Sequence, residues 1–397
     1  MRVLLDLNDM QESLKSNGYT NRKLATRFKV THTTVNSYFK KQDKFDFMHL
    51  VDALRLYKPK DVEFRRNCIK EYIPRLSHKN LKLALEVLDM FGEYELQELV
   101  IEQILKSQTK NGDSPTVRTN VKIAEYYKLL RKRSEGTITA RDFFNEVQKK
   151  REAQKNTEND LMIVSDFSTM YSYLDFSNYE KVNEYIESVL PRIKKVSKHT
   201  NRNSFLLRIK EMQVPIHLHN NGDLNKTREI CFEILNDPFN YYMSTKAIAY
   251  CKLGESYALS DYEMAKNYIC KALELIGVPV NKKFEIRRNK ILNVLLFLKI
   301  HHGKELDSID RTKLDLAELA FFYISIGKKE EAIEILRGLK KQNGYLSSFQ
   351  LYYMGLALGG EEGKRYLEMS VESFTKTGDF FYISLPINAL KCYNQII

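Results

Sequence analysis

Two stretches in the C-terminal half repeat one another, and together they restrict the chain to stacked helix pairs. Ser260-Asp-Tyr-Glu-Met-Ala-Lys-Asn-Tyr-Ile-Cys-Lys-Ala places small residues at Ala265 and Ala272; Gly327-Lys-Lys-Glu-Glu-Ala-Ile-Glu-Ile-Leu-Arg-Gly opens a second copy, with Ala332 and Leu339 at the matching positions. The offset, 332 − 265 = 67, is close to two periods of the roughly 34-residue tetratricopeptide unit. Gly254 and Tyr257 fit the preceding helix of the first unit, and paired helices need small residues where they cross. Gly222-Asp-Leu-Asn and Gly359-Gly-Glu-Glu start looser versions. With 16 Gly and 8 Pro in 397 residues, helix is favoured over sheet or loop. The expectation is an all-α chain whose residues 66–397 form a degenerate tetratricopeptide-like superhelix. Such stacks curve and present a long groove suited to an extended peptide or a partner helix. Periodicity predicts helices over 81–91, 95–106, 121–132, 140–155, 181–196 and 204–219, with a polar turn or loop over 106–119.

A different pattern opens the chain. In the stretch TNRKLATRFKVTHTTVNSYFKK, residues 20–41, Leu24, Ala25 and Phe28 give a short helix one apolar face. Thr31 is placed to cap a second helix, in which Val35, Tyr38 and Phe39 recur on the inner side. Thr33, Asn36, Ser37 and Lys40 share the opposite face, which is small, polar and basic and carries no carboxylate. Lys29-Val30 makes a tight connection. This is the layout of a helix-turn-helix, whose second helix enters the DNA major groove. A preceding helix over 4–16 and a support helix over 45–57 complete a unit ending near residue 65. No flexible linker marks that end, so a packed, rigid connection is expected.

Charge points the same way. Through residue 60 the chain has 12 Lys/Arg and 6 Asp/Glu, a net of +6, half of the whole chain's +12. Neutralising phosphates needs such a concentration and makes binding salt-dependent. On this reading Thr31, His32, Thr33, Asn36 and Ser37 meet base edges, while Arg22, Lys40 and Lys41 hold phosphates. Arg131-Lys-Arg and Lys149-Lys-Arg are expected to be solvated helix faces.

Nothing suggests chemistry. His217-Leu-His219 and His301-His302 are the close histidine pairs, without a compelling third ligand nearby. Gly359-Gly-Glu-Glu-Gly lacks the ending and strand context of a phosphate loop, and there is no Gly-x-Ser-x-Gly elbow. Five scattered cysteines without a C-x-x-C read as reduced thiols. MRVLLDLNDM has acids inside its apolar run and is no secretory signal. No apolar stretch approaches the roughly 20 residues that span a bilayer. The expectation is a soluble, cytoplasmic, non-enzymatic protein with no metal and no cofactor.

A helix-turn-helix joined to degenerate repeats resembles the RRNPP peptide-pheromone receptors of Gram-positive bacteria and their phages, and among them the arbitrium receptors of Bacillus phages. The stretches that carry the resemblance are Arg202-Asn-Ser-Phe-Leu-Leu-Arg, Leu253-Gly-Glu-Ser-Tyr-Ala-Leu-Ser-Asp-Tyr-Glu-Met-Ala-Lys, Asp315-Leu-Ala-Glu-Leu-Ala and Lys376-Thr-Gly-Asp-Phe-Phe-Tyr-Ile-Ser-Leu-Pro. The resemblance implies a cytoplasmic homodimer, joined through C-terminal helices. It also implies operator DNA and a short, re-imported signal peptide as partners. In arbitrium systems the free receptor activates transcription that favours lysis, and the peptide disables it. Glu318 and Asp379 match two acids that hold an arginine of the peptide, and Asn220 matches an asparagine on its backbone. Pro215 stands where an asparagine is expected, and Glu255 where a further one is. Ser244 replaces an arginine that meets the peptide carboxylate, with Lys246 the nearest basic substitute. Two other readings share the repeats: a Rap-like module acting on a response regulator, and a DNA-binding regulator that has lost its ligand.

Overall fold

The computed structural model describes residues 6–40, 45–111, 114–155, 157–220, 222–237, 239 and 241–394, and among them there is no strand. The fold is all-α, a helix-turn-helix followed by a tetratricopeptide-like repeat.

Five helices build the head: α1 (Leu7–Ser16), α2 (Asn21–Phe28), α3 (His32–Lys40), α4 (Phe47–Tyr57) and α5 (Val62–Tyr72). Each of the first four starts where a short polar side chain can satisfy an orphan N–H. Asp6 accepts from Asn8, Thr20 from Lys23, Thr31 from Thr34, and Asp46 from Met48. Leu24, Ala25 and Phe28 of α2 face inward with Val35, Tyr38 and Phe39 of α3, all buried. Between the helices Lys29 adopts the left-handed conformation, φ 52°. A side chain there costs about 1 kcal/mol, and a contact offsets it: the Lys29 ammonium lies 4.1 Å from the Phe239 ring centre.

The body follows as α6 (His78–Phe91), α7 (Tyr94–Asn111), α8 (Pro115–Glu135), α9 (Ala140–Glu152), α10 (Asn159–Leu174) and α11 (Tyr179–Lys194). It continues with α12 (His199–Pro215), α13 (Leu224–Leu235), α14 (Met243–Glu255), α15 (Tyr262–Ile276) and α16 (Lys282–His302). The last five are α17 (Leu316–Ser325), α18 (Lys329–Asn343), α19 (Ser348–Leu358), α20 (Gly360–Thr377) and α21 (Ser384–Asn394). The loop expected over 106–119 is mostly helical: α7 runs to Asn111, and Ser114 with Pro115 starts α8. Polarity there marks a solvated surface, and the turn chemistry is confined to Asn111-Gly-Asp-Ser-Pro.

Chain neighbours pack as antiparallel pairs, most extensively α14 on α15, α19 on α20 and α17 on α18. Ala265, Ala272 and Ala332 are fully buried at these contacts. At Gly254 an added Cβ would lie 2.7 Å from the Ala265 carbonyl oxygen; at Gly355 it would lie 2.7 Å from Leu367 Cγ. Both crossings are closer than any side chain allows.

No seam separates head from body. A single cluster of buried apolar residues runs from Leu7 in α1 to Leu253 in α14, and residue 65 falls inside α5. Polar contacts reinforce the join. The Arg55 guanidinium lies 3.9 Å from the Phe91 ring centre and donates to the Tyr241 carbonyl at 2.9 Å. Lys198 Nζ bonds Asp46 at 2.9 Å and Asn80 at 2.7 Å. Among the described residues no helix is long and apolar enough to cross a membrane.

Candidate functional site

Two surfaces draw attention, one on the head and one inside the body. On α3, Thr31, His32, Thr33 and Lys40 are exposed, while Asn36 and Ser37 are half-buried; Arg22 is exposed at the start of α2. Asn36 is braced from two sides, accepting from Asn21 of α2 and lying 3.3 Å from His32 Nδ1. Ser37 Oγ donates to the Thr34 carbonyl at 2.7 Å. Lys41 lies outside the described residues. Arg27 belongs to the head's interior, bonding Asp52 of α4 through two nitrogens.

Inside the superhelix, α8, α12, α14 and α16 with their neighbours enclose a cavity of about 590 Å³, within the range of about 300–1,000 Å³ typical of small-ligand sites. Its charged lining is mostly self-paired. Arg133 pairs with Asp175, Arg287 with Glu211 at 2.6 Å, and Lys252 with Glu255 at 2.6 Å. Deeper, Arg208 bonds Glu86 through Nε at 2.9 Å and Nη2 at 3.0 Å, and Asp89 at 2.5 Å. Tyr127 and Ser204 also donate to Glu86. Burial works against the charge on Asp89, yet Arg208 and Lys283 outweigh it and hold its carboxyl below the usual range. The basic runs expected to be solvated faces are tied inward instead: Arg131 pairs with Glu98 and Arg151 with Asp166, both at 2.8 Å.

Pro215, at the end of α12, lines this cavity. It has no N–H to close a helical bond, and the chain continues as one π turn, Ile216–Asn220. That turn sets His219 and Asn220 against the segment 378–382. His219 Nδ1 lies 3.2 Å from Asp379 Oδ1, and its carbonyl accepts from Phe380 N at 2.7 Å. On its other edge, His219 Nε2 lies 3.6 Å from Glu255, which also accepts from Tyr382 Oη at 3.0 Å. Asn220 Oδ1 packs on Gly378, where a Cβ would lie 3.3 Å away. So Asn220 and Asp379 share one wall, and Glu255, the departure from the expected asparagine, is that wall's buried anchor.

Glu318 sits beyond an aromatic cluster. Tyr353 Oη donates to its Oε1 at 3.1 Å, while Oε2 is buried without a partner among the described residues. Burial raises its carboxyl to about 7, against the Tyr353 bond. Tyr353 lies 6.2 Å ring to ring from Phe349, and Phe349 5.0 Å from Tyr382, whose N–H donates to Asp379. Lys246 is placed otherwise than its expected role requires. Its ammonium is consumed by the carbonyls of Leu235 at 2.7 Å and Asp237 at 3.2 Å, and the residue is 9% exposed. The cation beside Ser244 is Arg287, whose Nη1 is 3.4 Å from the Ser244 hydroxyl. Sequence reading missed Arg208, Glu86, Asp89, Arg287 and Lys290. One signal was present: Glu86 and Asp89 are carboxylates inside the apolar run Leu83-Ala-Leu-Glu-Val-Leu-Asp-Met-Phe.

Comparisons with known proteins agree with this architecture. A family model described as AimR transcriptional regulator-like matches residues 65–392. An AimR transcriptional regulator of Bacillus phage phi3T is 22% identical over 362 residues, covering 90% of each chain. An uncharacterized protein of Bacillus anthracis is 30% identical over 256 residues, 64% of this chain and 93% of its own length. Among solved structures, phAimR superposes with a TM-score of 0.68 at 21% identity, covering 98% of this chain and 97% of its own. A ligand-bound form of phAimR gives 0.67, over 86% and 96%.

Proposed function

This chain belongs to the AimR family of transcriptional regulators, and on that premise we propose that it is a DNA-binding regulator switched off by a short, arginine-containing signal peptide. The observation that carries the DNA reading is the outer face of α3: Thr33, Asn36, Ser37 and Lys40 without a carboxylate, on a head with a net charge of +6 through residue 60. In this reading Thr31, His32, Thr33, Asn36 and Ser37 meet base edges, and Arg22, Lys40 and Lys41 hold phosphates. A two-fold dimer would meet an inverted-repeat operator, and the regulated choice would be that between lysis and lysogeny.

The peptide's guanidinium is assigned to Glu318 and Asp379, with Asn220 on its backbone. Glu318 supports this because its buried Oε2 lacks a partner, and a guanidinium can supply a charge-assisted bond there. Peptide would favour a superhelix curvature in which the two heads no longer match their half-sites. That requires unequal affinity for the two curvatures.

The test is binding of the full chain to DNA flanking its own gene. One arm adds a synthetic pool of short peptides carrying arginine followed by two small residues. Wild-type protein should footprint an inverted repeat, and the double substitution Asn36→Ala, Lys40→Ala should abolish the footprint while leaving the circular dichroism unchanged. The pool should weaken wild-type binding. No footprint at modest ionic strength rejects the DNA reading. A footprint indifferent to peptide leaves the regulator that has lost its ligand, a reading favoured by the internal engagement of Lys246 and Glu255.

A further inference from the structure

The cations that line the central cavity are not equally engaged. Arg133, Arg208, Lys252 and Arg287 each face a carboxylate. Lys283 is buried and reaches only the Asp89 carbonyl oxygen, at 2.7 Å. Lys290 lines the cavity and has neither hydrogen bond nor ion pair among the described residues. It also sits in a positive neighbourhood. Burial, then Arg133, Arg287 and Lys252, push its ammonium below the usual lysine range. Several cations converge there, and the nearby carboxylates Asp175, Glu211 and Glu255 are already matched. The cavity therefore lacks an anion.

The surroundings narrow what that anion belongs to. Ile286, Lys290 and Val294 recur every four residues along one face of α16, and all three line the cavity. The ammonium thus rises from an apolar stripe. An occupant suited to it has one anionic end and an uncharged body, and a volume of about 590 Å³ accommodates a few residues of peptide. A cationic group would meet unmatched positive charge at the same place.

We propose that Lys290, with Arg287 beside it, binds the terminal carboxylate of the peptide ligand. This assignment rests on the peptide-receptor reading above and adds to it a requirement for a free C-terminus. It places the carboxylate on α16, a helix to which the sequence reading gave no role in binding. Lys290 acts as a charge-assisted donor, and Arg287, already oriented by Glu211 at 2.6 Å, supplies a second positive group.

Thermal unfolding of the full chain tests the assignment with three probes: the arginine-containing pool as free acids, the same pool amidated at the C-terminus, and sodium phosphate. The free acids should raise the melting temperature in a saturable manner. Amidation, or Lys290→Met, should weaken the response about tenfold or more, and Lys290→Arg should keep most of it. Removing an unpaired ammonium leaves no partner stranded, so Lys290→Met should fold like wild type. Equal responses to both pools, or an unchanged response in Lys290→Met, would overturn the carboxylate assignment and leave the peptide reading standing. Protection by phosphate equal to that by the free acids would also overturn it, in favour of an inorganic anion. Silence from every probe would overturn both this assignment and the peptide reading.

Discussion

At Glu318 the fold holds a carboxyl near half-protonation at neutral pH, its value raised from 4.5 to about 7 chiefly by burial. The folded chain therefore keeps a proton that the unfolded chain releases, and stability falls as pH rises from about 4.5 to about 7. Glu318→Gln removes that loss. The variant should melt with wild type near pH 5 and above it near pH 8, as thermal unfolding at both values will report. Lys246 makes the opposite case, a charged residue whose work is internal. Lys246→Met leaves two buried carbonyls unpaired and should cost about 1–3 kcal/mol by chemical denaturation, while operator binding of the folded fraction stays unchanged. The sequence could present Lys246 as a cation near Ser244. It could not show that Leu235 and Asp237 had already claimed the ammonium, because the fold of the α13–α14 connection decides it.

Between helices, the decisive quantity is the distance of closest approach. Gly254→Ala would set a Cβ 2.7 Å from the Ala265 oxygen and 2.7 Å from Ile269 Cγ1, so α14 and α15 must part or bend. A destabilisation of about 1–3 kcal/mol is expected, read from a shift in denaturant midpoint. Gly338→Ala, inside α18 with nothing within 4 Å of the new Cβ, should instead gain stability, by about 0.5–1 kcal/mol. The first crossing was legible because Gly254, Ala265 and Ala272 keep the regular spacing of a repeat. Gly355, which makes the same approach to α20, was not, since that unit has drifted in spacing and Leu367 takes the facing place. The helix-turn-helix was legible down to its caps, for its contacts are local. The network around Arg208 joins residues 119 and 122 apart, and no periodicity encodes such distances.

Taken whole, the molecule has a continuous apolar interior from α1 to α14, cross-tied by Arg208 between α6 and α12. Arg208 is 4% exposed and its partners Glu86 and Asp89 are 1% and 2%. Arg208→Met strands two buried carboxylates and should cost about 3–5 kcal/mol, enough to show as loss of folded protein at physiological temperature. Head and body should also unfold together: circular dichroism and tyrosine fluorescence should trace one coincident transition, and mild proteolysis should release no stable fragment ending near residue 65. Any signal received in the cavity can reach α3 only by tilting the whole frame, since no hinge of loose chain is provided between them.

Such a join also limits how new DNA preferences can arise. A head borrowed from a relative would arrive without the apolar partners its adopted body expects, and Arg55, Lys198 and Phe239 would lose the surfaces they grip. Diversification is thereby channelled to substitutions on the exposed side of α3, where a residue can change without disturbing anything beneath it.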